Sequence, residues 1–257
     1  MSSKKHIDII VIGSGPGGYA AGFRAADLGR QVLIVDKDPT LGGVCLNRGC
    51  IPSKTLLHIA RVLEETESLK NMGVGFSKPK IDIDGVRSWK SKIVTQLSSG
   101  ISQMAKARKV QTVQGEATFL SNSEIQIKSE SKKQVVTFDH CIIAAGSSSS
   151  TIPGIPTENK DVLTSRTALD LVRVPKNLLI IGGGYIGLEM GTVFNSLGSV
   201  VSVAEFLPNL LPGADADLVK PLARKLKKQF EEIYLSTKIT SVNPSKPKGL
   251  TVTMEKD

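Results

Sequence analysis

A glycine-rich turn occurs twice in the sequence, each time after an apolar run and before a helical stretch. The glycines of the two copies are Gly13, Gly15 and Gly18, and then Gly182, Gly184 and Gly187. The copies stand 169 positions apart, which is far longer than the period of roughly 20–50 residues that marks a solenoid repeat. The repeat therefore predicts two nucleotide-binding units, each built as strand, turn, helix and strand.

The first copy has the spacing of a dinucleotide-binding fingerprint. An apolar run at residues 7–12 precedes the glycines, a helical stretch at 19–28 follows them, and a second run at 32–35 ends in Asp36. In this pattern the first glycine permits a tight turn, the second lets the backbone approach a pyrophosphate, and the third lets helix and strand pack closely. Free N–H groups at the helix start face the phosphates, and we expect Asp36 to accept hydrogen bonds from a ribose.

The second copy repeats these elements with strands at 178–181 and 200–204 and a helix at 186–197. Glu205 follows the last glycine by the same 18 positions as Asp36 follows Gly18. A carboxylate at this place favours the free 2′-hydroxyl of NAD and repels the 2′-phosphate of NADP. No arginine stands among residues 203–206, so this copy predicts an NAD site.

The remaining segments complete an α/β chain with two Rossmann-like domains of the three-layer type. Residues 84–109 predict a long helix, and short strands are predicted at 110–113, 124–128, 135–138 and 141–145. A Gly, Ser and Pro-rich stretch after residue 146 predicts a boundary, which gives domains 1–146 and 147–257. The chain stops soon after a predicted strand at 250–254, so we expect the second domain to be incomplete.

Composition narrows the class of protein. The basic residues that give a net charge of +9 are scattered and lack interleaved aromatics, which argues against a nucleic-acid partner. The most apolar run without charge, residues 177–188, spans 12 residues, whereas a membrane-spanning helix needs about 20 apolar residues. The first residues contain no apolar signal core. We therefore expect a cytoplasmic protein away from membranes, in which close cysteines are reactive rather than structural.

Two of the three cysteines, Cys45 and Cys50, stand close together in the sequence. On an ideal helix their Cα atoms would be five steps of about 1.5 Å apart and turned by about 140°, whereas a disulfide needs Cα atoms within about 7 Å. The pair can bridge only if the helix is distorted, for which Asn47 and Gly49 are suited. So short a loop gives only about 2 kcal/mol of stabilisation, and no second Cys or His pair supports a metal site. The pattern favours a redox-active dithiol, with Lys54 favouring negative charge nearby.

Three motifs together resemble those of the flavin-dependent pyridine nucleotide-disulfide oxidoreductases. They are GSGPGG at 13–18, GVCLNRGCIPSK at 43–54 and GGGYIGLE at 182–189. The wording of the cysteine motif is similar to that of the family members that oxidise dihydrolipoamide. The family's order is an FAD domain, an NAD domain, a return to the FAD domain and a dimer-interface domain. The resemblance implies that this chain lacks the C-terminal dimerisation domain and forms a homodimer only when full length.

The resemblance also implies a role for individual residues. It places FAD against Gly13, Gly15, Gly18, Asp36, Gly43, Lys54, Gly115, Ala145 and Gly146. It places NAD against Gly182, Gly184, Tyr185, Ile186, Gly187, Glu189 and Glu205. Among these, Lys54 is expected near flavin N5, Tyr185 as a lid over the flavin and Glu189 near the nicotinamide.

The implied reaction is oxidation of protein-bound dihydrolipoamide through a Cys45–Cys50 disulfide and FAD, with hydride passing to NAD⁺. The partners would be lipoyl domains of 2-oxoacid dehydrogenase or glycine cleavage complexes. Two alternatives stay open: an enzyme like glutathione or mercuric reductase, and a non-catalytic nucleotide-binding fragment. The family's general base is a His paired with Glu in the interface domain, and none of His6, His58 and His140 stands in that motif. We assign no base and no metal, and we expect Cys141 to be a buried structural thiol.

Overall fold

The computed structural model describes residues 5–130, 132–150, 152–245 and 249–256. These residues form two compact units. One comprises the chain up to Pro52 and the segment Ser91–Ser148, and the other comprises Ser53–Lys90 and the chain from Ser149 onward. The break after Ser148 lies two residues beyond the boundary predicted after residue 146, and residues 53–90 group with the C-terminal part. The assignment of 1–146 to FAD and 147–257 to NAD stays a prediction.

Eleven strands are found among the described residues. They are β1 Lys5–Ile12, β2 Val32–Asp36, β3 Gln111–Gln114, β4 Glu116–Phe119, β5 Glu124–Lys128, β6 Lys133–Ile143, β7 Asn177–Ile181, β8 Val200–Ala204, β9 Glu232–Tyr234, β10 Thr237–Pro244 and β11 Leu250–Lys256. The strands predicted at 124–128 and 200–204 have these same bounds. The two strands predicted at 135–138 and 141–145 are one strand, β6, because the polar residues Asp139 and His140 stay in register beside β1.

Seven α-helices lie between the strands. They are α1 Pro16–Asp27, α2 Gly43–Arg48, α3 Cys50–Ser68, α4 Ile83–Ala107, α5 Ser165–Asp170, α6 Tyr185–Ser196 and α7 Ala216–Gln229. A short 3₁₀ turn, Leu69–Met72, follows α3. The division between the two units falls within α3 and within α4. Among the described residues, no helix combines the length and the apolar character needed to cross a membrane.

The first unit is built on a six-stranded sheet in the order β3-β2-β1-β6-β5-β4. The first four of these strands are parallel, and β5 and β4 add an antiparallel edge. Successive residues of β2 point to opposite faces, so Leu33 joins the apolar cluster on one face and Ile34 the cluster around Phe23 on the other. All four apolar residues of β2 are buried, as expected for a parallel strand covered on both sides.

The second unit contains a parallel sheet in the order β7-β8-β9 and a separate β10-β11 hairpin. Val201 and Val203 of β8 are fully buried and pack in one cluster with Val193 and Phe194 of α6. In both units the glycine turn joins the first parallel strand to the helix that covers it. The fold is therefore the predicted α/β type, and both glycine turns and both acids, Asp36 and Glu205, lie at the carboxyl ends of its parallel strands.

Candidate functional site

The first glycine turn is tightly enclosed by the neighbouring strand. Gly13 has φ of +101°, and a Cβ added to it would lie 2.1 Å from the carbonyl oxygen of Ala144, just after β6. Its N–H donates to the carbonyl of Val35 at 2.8 Å. Helix α1 begins directly after Gly15, and no side chain caps its first N–H groups. These groups lie at the start of a helix dipole, which is the arrangement that receives a pyrophosphate.

The segment that carries the cysteines starts on this turn. Gly43 has φ of +60°, and a Cβ added to it would lie 2.5 Å from the Cα of Gly15. The N–H of Gly42 donates to the carbonyl of Ser14 at 2.9 Å. Only glycine permits this backbone-to-backbone approach. The structure therefore brings Gly43 and Gly15, two residues predicted to contact one cofactor, into direct contact with each other.

Asp36 is bound to the same turn through its carboxylate. Its Oδ2 accepts hydrogen bonds from the N–H and the hydroxyl of Ser14, both at 2.6 Å, and its Oδ1 accepts from the N–H of Asp38 at 2.9 Å. Burial acts to raise the pKa of Asp36, but the hydrogen bonds from Asp38 and Ser14 outweigh it and hold that pKa below its ordinary value. The carboxylate is therefore charged at neutral pH and keeps lone pairs for further donors. Its bond to a ribose stays a prediction.

A pocket of about 300 Å³ opens beside Asp36. Its polar lining includes Asp38, Ser102, Lys106 and Gln114, with apolar walls from residues such as Leu41 and Val110. Its polar groups come from three separate parts of the chain, so sequence reasoning did not single them out. The pocket adjoins the predicted ribose-binding acid and has the mixed lining that a nucleoside requires.

Three further predicted contacts lie at this edge of the sheet. The N–H of Gly115 donates to the carbonyl of Asp36 at 2.8 Å. The Cα of Ala145 would be 3.2 Å from a Cβ on Gly13, and Gly146 follows with φ of +69°. The structure thus places Ala145 against the first glycine turn and Gly115 against Asp36, the acid bound to that turn. Their contacts with a dinucleotide stay predictions.

The helix that carries the cysteines is interrupted between them. Cys45 lies in α2, Cys50 begins α3, and Gly49 between the two helices has φ of −145° and ψ of −111°. A Cβ on Gly49 would lie 3.0 Å from the carbonyl oxygen of Val44. The distortion at Gly49 that a bridge requires is therefore present. Lys54, in the first turns of α3, is exposed.

The second glycine turn repeats the first in backbone geometry. Gly182 has φ of +100°, and its N–H donates to the carbonyl of Ala204 at 2.8 Å. Glu205 accepts hydrogen bonds from the N–H of Gly183 at 2.6 Å and of Leu207 at 2.7 Å. Its side chain is almost wholly buried, at 6% exposure. Both acids singled out from the sequence therefore bind the turn of their own unit.

The first turn of α6 carries the other residues predicted for the second site. Helix α6 begins at Tyr185 directly after Gly184, without a side-chain cap. Tyr185 is 68% exposed and Ile186 44% exposed, and Glu189 is half-buried one turn further on. The roles given to Tyr185, Ile186, Gly187 and Glu189 remain predictions.

Two details differ from the sequence analysis. Cys141 is half-buried rather than buried and lines an open groove of about 610 Å³, because β5 pairs with β6 only as far as Thr137. Burial raises the pKa of the Cys141 thiol, which disfavours its reactive thiolate. Sequence reasoning also missed an exposed group of possible metal ligands, in which His6 Nε2 lies 3.3 Å from Asp139 Oδ1 beside Asp8.

Comparison with known proteins adds a family and several relatives. Residues 7–257 match the family model described as pyridine nucleotide-disulphide oxidoreductase. A dihydrolipoyl dehydrogenase of Vibrio cholerae is 48% identical over 255 residues, which are 99% of this chain and 53% of that protein. The Haemophilus influenzae dihydrolipoyl dehydrogenase is 47% identical over 256 residues, again 99% of this chain and 53% of the relative.

A more distant relative and a solved structure give a similar alignment. The leghemoglobin reductase of Vigna unguiculata is 42% identical over 250 residues, which are 96% of this chain and 48% of that protein. A Cu(II) complex of the HOCl-induced flavoprotein disulfide reductase RclA from Escherichia coli matches with a TM-score of 0.83 and 26% identity, covering 98% of this chain and 54% of that one. The chain thus spans about half the length of the proteins it matches.

Proposed function

The chain belongs to the pyridine nucleotide-disulphide oxidoreductase family, and from this premise we propose that it supplies the dinucleotide-binding and disulfide-bearing part of a dihydrolipoamide dehydrogenase. The proposed reaction oxidises protein-bound dihydrolipoamide at Cys45 and Cys50 and reduces NAD⁺. The relatives of highest identity reported above carry the name dihydrolipoyl dehydrogenase, which supports this member of the family over a glutathione- or mercuric-reductase type.

The observation that carries the proposal is the contact of Gly43 with Gly15. A Cβ on Gly43 would lie 2.5 Å from the Gly15 Cα, and Cys45 follows Gly43 within the same helix. The helix that carries Cys45 therefore starts on the turn predicted to hold a pyrophosphate. This arrangement suits a cysteine pair that exchanges electrons with a dinucleotide bound on that turn.

The thiol chemistry that we propose uses only the two cysteines and the substrate. A thiolate of dihydrolipoamide attacks the Sγ of Cys45, which breaks the Cys45–Cys50 bond and releases Cys50 as a thiolate. The second substrate thiol then attacks the mixed disulfide, so lipoamide leaves oxidised and both cysteines are reduced. By analogy with the family, Cys45 exchanges with the substrate and Cys50 faces the flavin.

The residues of the first unit fit an FAD site on the grounds given above: the uncapped α1 N-terminus, the enclosed turn at Gly13 and the pocket beside Asp36. We propose that Gly13, Gly15, Gly18, Gly43 and Gly115 receive the cofactor through backbone contacts. Asp36 would bind its ribose, and Ala145 and Gly146 would border it. For Lys54, which groups with the second unit, a place near flavin N5 is proposed from the family resemblance alone. Bound there, FAD would supply the two-electron carrier between the reduced cysteines and NAD⁺.

We propose that the second turn binds NAD rather than NADP. Glu205 places a carboxylate beside the turn, and a carboxylate repels a 2′-phosphate. Gly182, Gly184 and Gly187 would admit the pyrophosphate, Tyr185 and Ile186 would border the ligand, and Glu189 would lie near the nicotinamide. For the complete protein, the proposed partners are lipoyl domains of 2-oxoacid dehydrogenase or glycine cleavage complexes. We also propose that it forms a homodimer and that it acts in the cytoplasm.

The test begins with a thiol titration of the 257-residue chain under denaturing conditions. The chain has three cysteines, so a Cys45–Cys50 disulfide leaves one reactive thiol in the oxidised protein and three after reduction. We expect Cys141→Ser to bring the oxidised count to zero. Three thiols in air-oxidised protein would contradict the disulfide.

The second step measures FAD retention and dihydrolipoamide-dependent reduction of NAD⁺ in the complete protein. We expect Cys45→Ser and Cys50→Ser each to abolish turnover while the flavin stays bound, with Cys141→Ser as the matched control of unchanged turnover. Turnover close to that of the unmodified protein in both serine variants would refute the assignment. Preference for NADPH with glutathione disulfide would instead indicate the reductase type. Flavin binding without any turnover by the 257-residue chain, measured in parallel, would indicate that this chain is a binding fragment.

A further inference from the structure

Arg48 stands between the two cysteines and makes a two-pronged ion pair. Its Nη1 donates to Asp38 Oδ1 at 3.1 Å, and its Nη2 donates to Asp38 Oδ2. The side chains of Arg48 and Asp38 are only 24% and 19% exposed. A shielded pair with parallel hydrogen bonds is more directional than an exposed ion pair, which contributes little.

Asp38 extends this contact to the first glycine turn. Its own N–H donates to Asp36 Oδ1 at 2.9 Å, while Asp36 Oδ2 accepts from the N–H and the hydroxyl of Ser14. A series of hydrogen bonds therefore runs from Arg48 through Asp38 and Asp36 to Ser14 in the first glycine turn. Ser14 is fully buried, so the turn end of the series is fixed.

Helix α2 depends on such anchors because it is only six residues long. A helix this short is not stable by itself. Its N-terminal end is fixed by the bond from Gly42 to Ser14, and its C-terminal end stops at Gly49. At that end the Asn47 amide donates to the carbonyls of Thr40 and Leu41 at 3.5 and 3.3 Å, and Arg48, the last residue of the helix, connects it through Asp38 to the glycine turn.

We propose that Arg48 is a positioning residue, which fixes the helix of Cys45 on the dinucleotide turn through Asp38 and couples the reactivity of the cysteine pair to occupancy of that turn. The inference rests on the proposed function for the identity of the dinucleotide. Coupling of this kind is reciprocal: a dinucleotide that binds at Asp36 restrains α2, and loosening α2 weakens the dinucleotide site.

The test compares four variants of the 257-residue chain. Arg48→Met removes the pair, Arg48→Lys keeps the charge but loses the fork, and Arg48→Met with Asp38→Asn removes both charges. Arg61→Met is the matched control, because Arg61 pairs with Glu65 on the exposed face of α3 at 75% and 60% exposure. The readout is the rate at which iodoacetamide alkylates each cysteine of the reduced chain, followed by mass spectrometry with and without FAD.

We expect Arg48→Met to accelerate alkylation of Cys45 about five- to tenfold, as the loss of a hydrogen-bonded charge contact of 1–1.4 kcal/mol gives. Cys141 should react as before, which separates a local change from general unfolding. The rate of Cys45 alkylation in Arg48→Lys should lie between those of the unmodified chain and of Arg48→Met. The double variant should still be alkylated rapidly at Cys45, because the pair that anchors α2 is missing there too. Added FAD should slow the alkylation of Cys45 in the unmodified chain and in Arg61→Met but not in Arg48→Met.

Three results would overturn the inference: an unchanged Cys45 rate in Arg48→Met, an equal acceleration at Cys141, or recovery of the original rate in the double variant. The last would mean that Arg48 only balances charge. If neither the unmodified chain nor the complete protein binds FAD, the proposed function fails, while the alkylation rates measured without FAD still decide whether Arg48 positions α2.

Discussion

The two glycine turns share a backbone geometry but differ in what surrounds them. Gly13 and Gly182 have φ of +101° and +100°, and each turn donates an N–H at 2.6 Å to the acid of its unit. Yet a Cβ on Gly13 would lie 2.1 Å from the Ala144 carbonyl oxygen, whereas a Cβ on Gly182 would have no atom within 4 Å. The difference arises because β1 lies between β2 and β6, while β7 pairs with β8 alone among the described residues.

This comparison separates two sources of constraint. The local motif sets the positive φ, the helix start and the bond to the acid, because all three depend on residues close in sequence. The crowding of the turn comes from a strand more than a hundred residues away. Among the described residues of this chain, a glycine in the fingerprint is thus required by conformation in both units, but by a neighbour's backbone only in the first.

The largest expected effect comes from alanine at the first glycine of each turn. Gly182→Ala should cost about 1 kcal/mol, because alanine is strained at positive φ but meets no neighbour. Gly13→Ala has the same strain and also drives a methyl group into a backbone carbonyl, so we expect a loss of about 3 kcal/mol or more. Hydrogen exchange of the β1 and β7 amides measures each unit separately.

The proposed difference between the two turns is wrong if Gly13→Ala and Gly182→Ala lose similar protection against hydrogen exchange in their own units. Gly29→Ala is a suitable control, since Gly29 also has a positive φ of +82° with no atom near its missing Cβ. It should resemble Gly182→Ala in cost although it lies in the first unit. If Gly29→Ala loses as much stability as Gly13→Ala, the loss at Gly13 arises from the positive φ alone and not from the Ala144 carbonyl.

The next effect concerns the two acids. Glu205→Gln places an amide where both carboxylate oxygens accept N–H groups, so one buried donor loses its acceptor at a cost of about 1–3 kcal/mol. Asp36→Asn also loses one bond, but Asp36 is half-buried and the Ser14 hydroxyl can rotate to accept from the amide. We expect Glu205→Gln to lose more stability than Asp36→Asn, as measured by hydrogen exchange of the backbone amides in the sheet of each unit. A larger loss in Asp36→Asn would show that burial does not decide the cost.

The sequence was sufficient for features that depend on neighbours along the chain. The strand–turn–helix units were predicted because apolar periodicity and glycine spacing are local. For the cysteine pair, helix geometry indicated only that a bridge requires a distortion, to which Asn47 and Gly49 are suited, and the helix break lies at Gly49. Sequence reasoning failed where distant segments meet. The pocket beside Asp36 takes Ser102 and Lys106 from α4, and the path of the chain that lets Arg48 reach Asp38 has no sequence pattern. β4 was missed because its alternation of polar and apolar residues covers only four positions, too few to stand out from the surrounding turns.

A smaller effect follows from the charge of Asp36. Its pKa lies below the ordinary value, so its ionised form stabilises the first unit at pH 7, above the unfolded-state pKa of about 3.9. That stabilisation is lost as the pH falls below about 4 toward the folded-state pKa. The difference in unfolding free energy between the unmodified chain and Asp36→Asn should therefore narrow between pH 7 and pH 3, measured by urea titration. An equal difference at both values would exclude this contribution.

The smallest effect on the fold, and the most selective effect on binding, is expected at the second glycine of each turn. Gly15 and Gly184 have φ of −68° and −74°, which alanine accepts, and added Cβ atoms would meet nothing closer than 3.9 Å. Stability should change by no more than about 0.5 kcal/mol.

Each methyl group would nevertheless occupy the place where a pyrophosphate approaches the backbone, so binding of the dinucleotide on that turn should weaken about tenfold or more, as a loss of 1.4 kcal/mol gives. Gly15→Ala should weaken FAD and spare NAD, and Gly184→Ala should do the reverse, as measured by fluorescence titration. Equal weakening of both dinucleotides by either variant would contradict the assignment of one cofactor to each turn, and with it the view that the repeat reflects two separate sites.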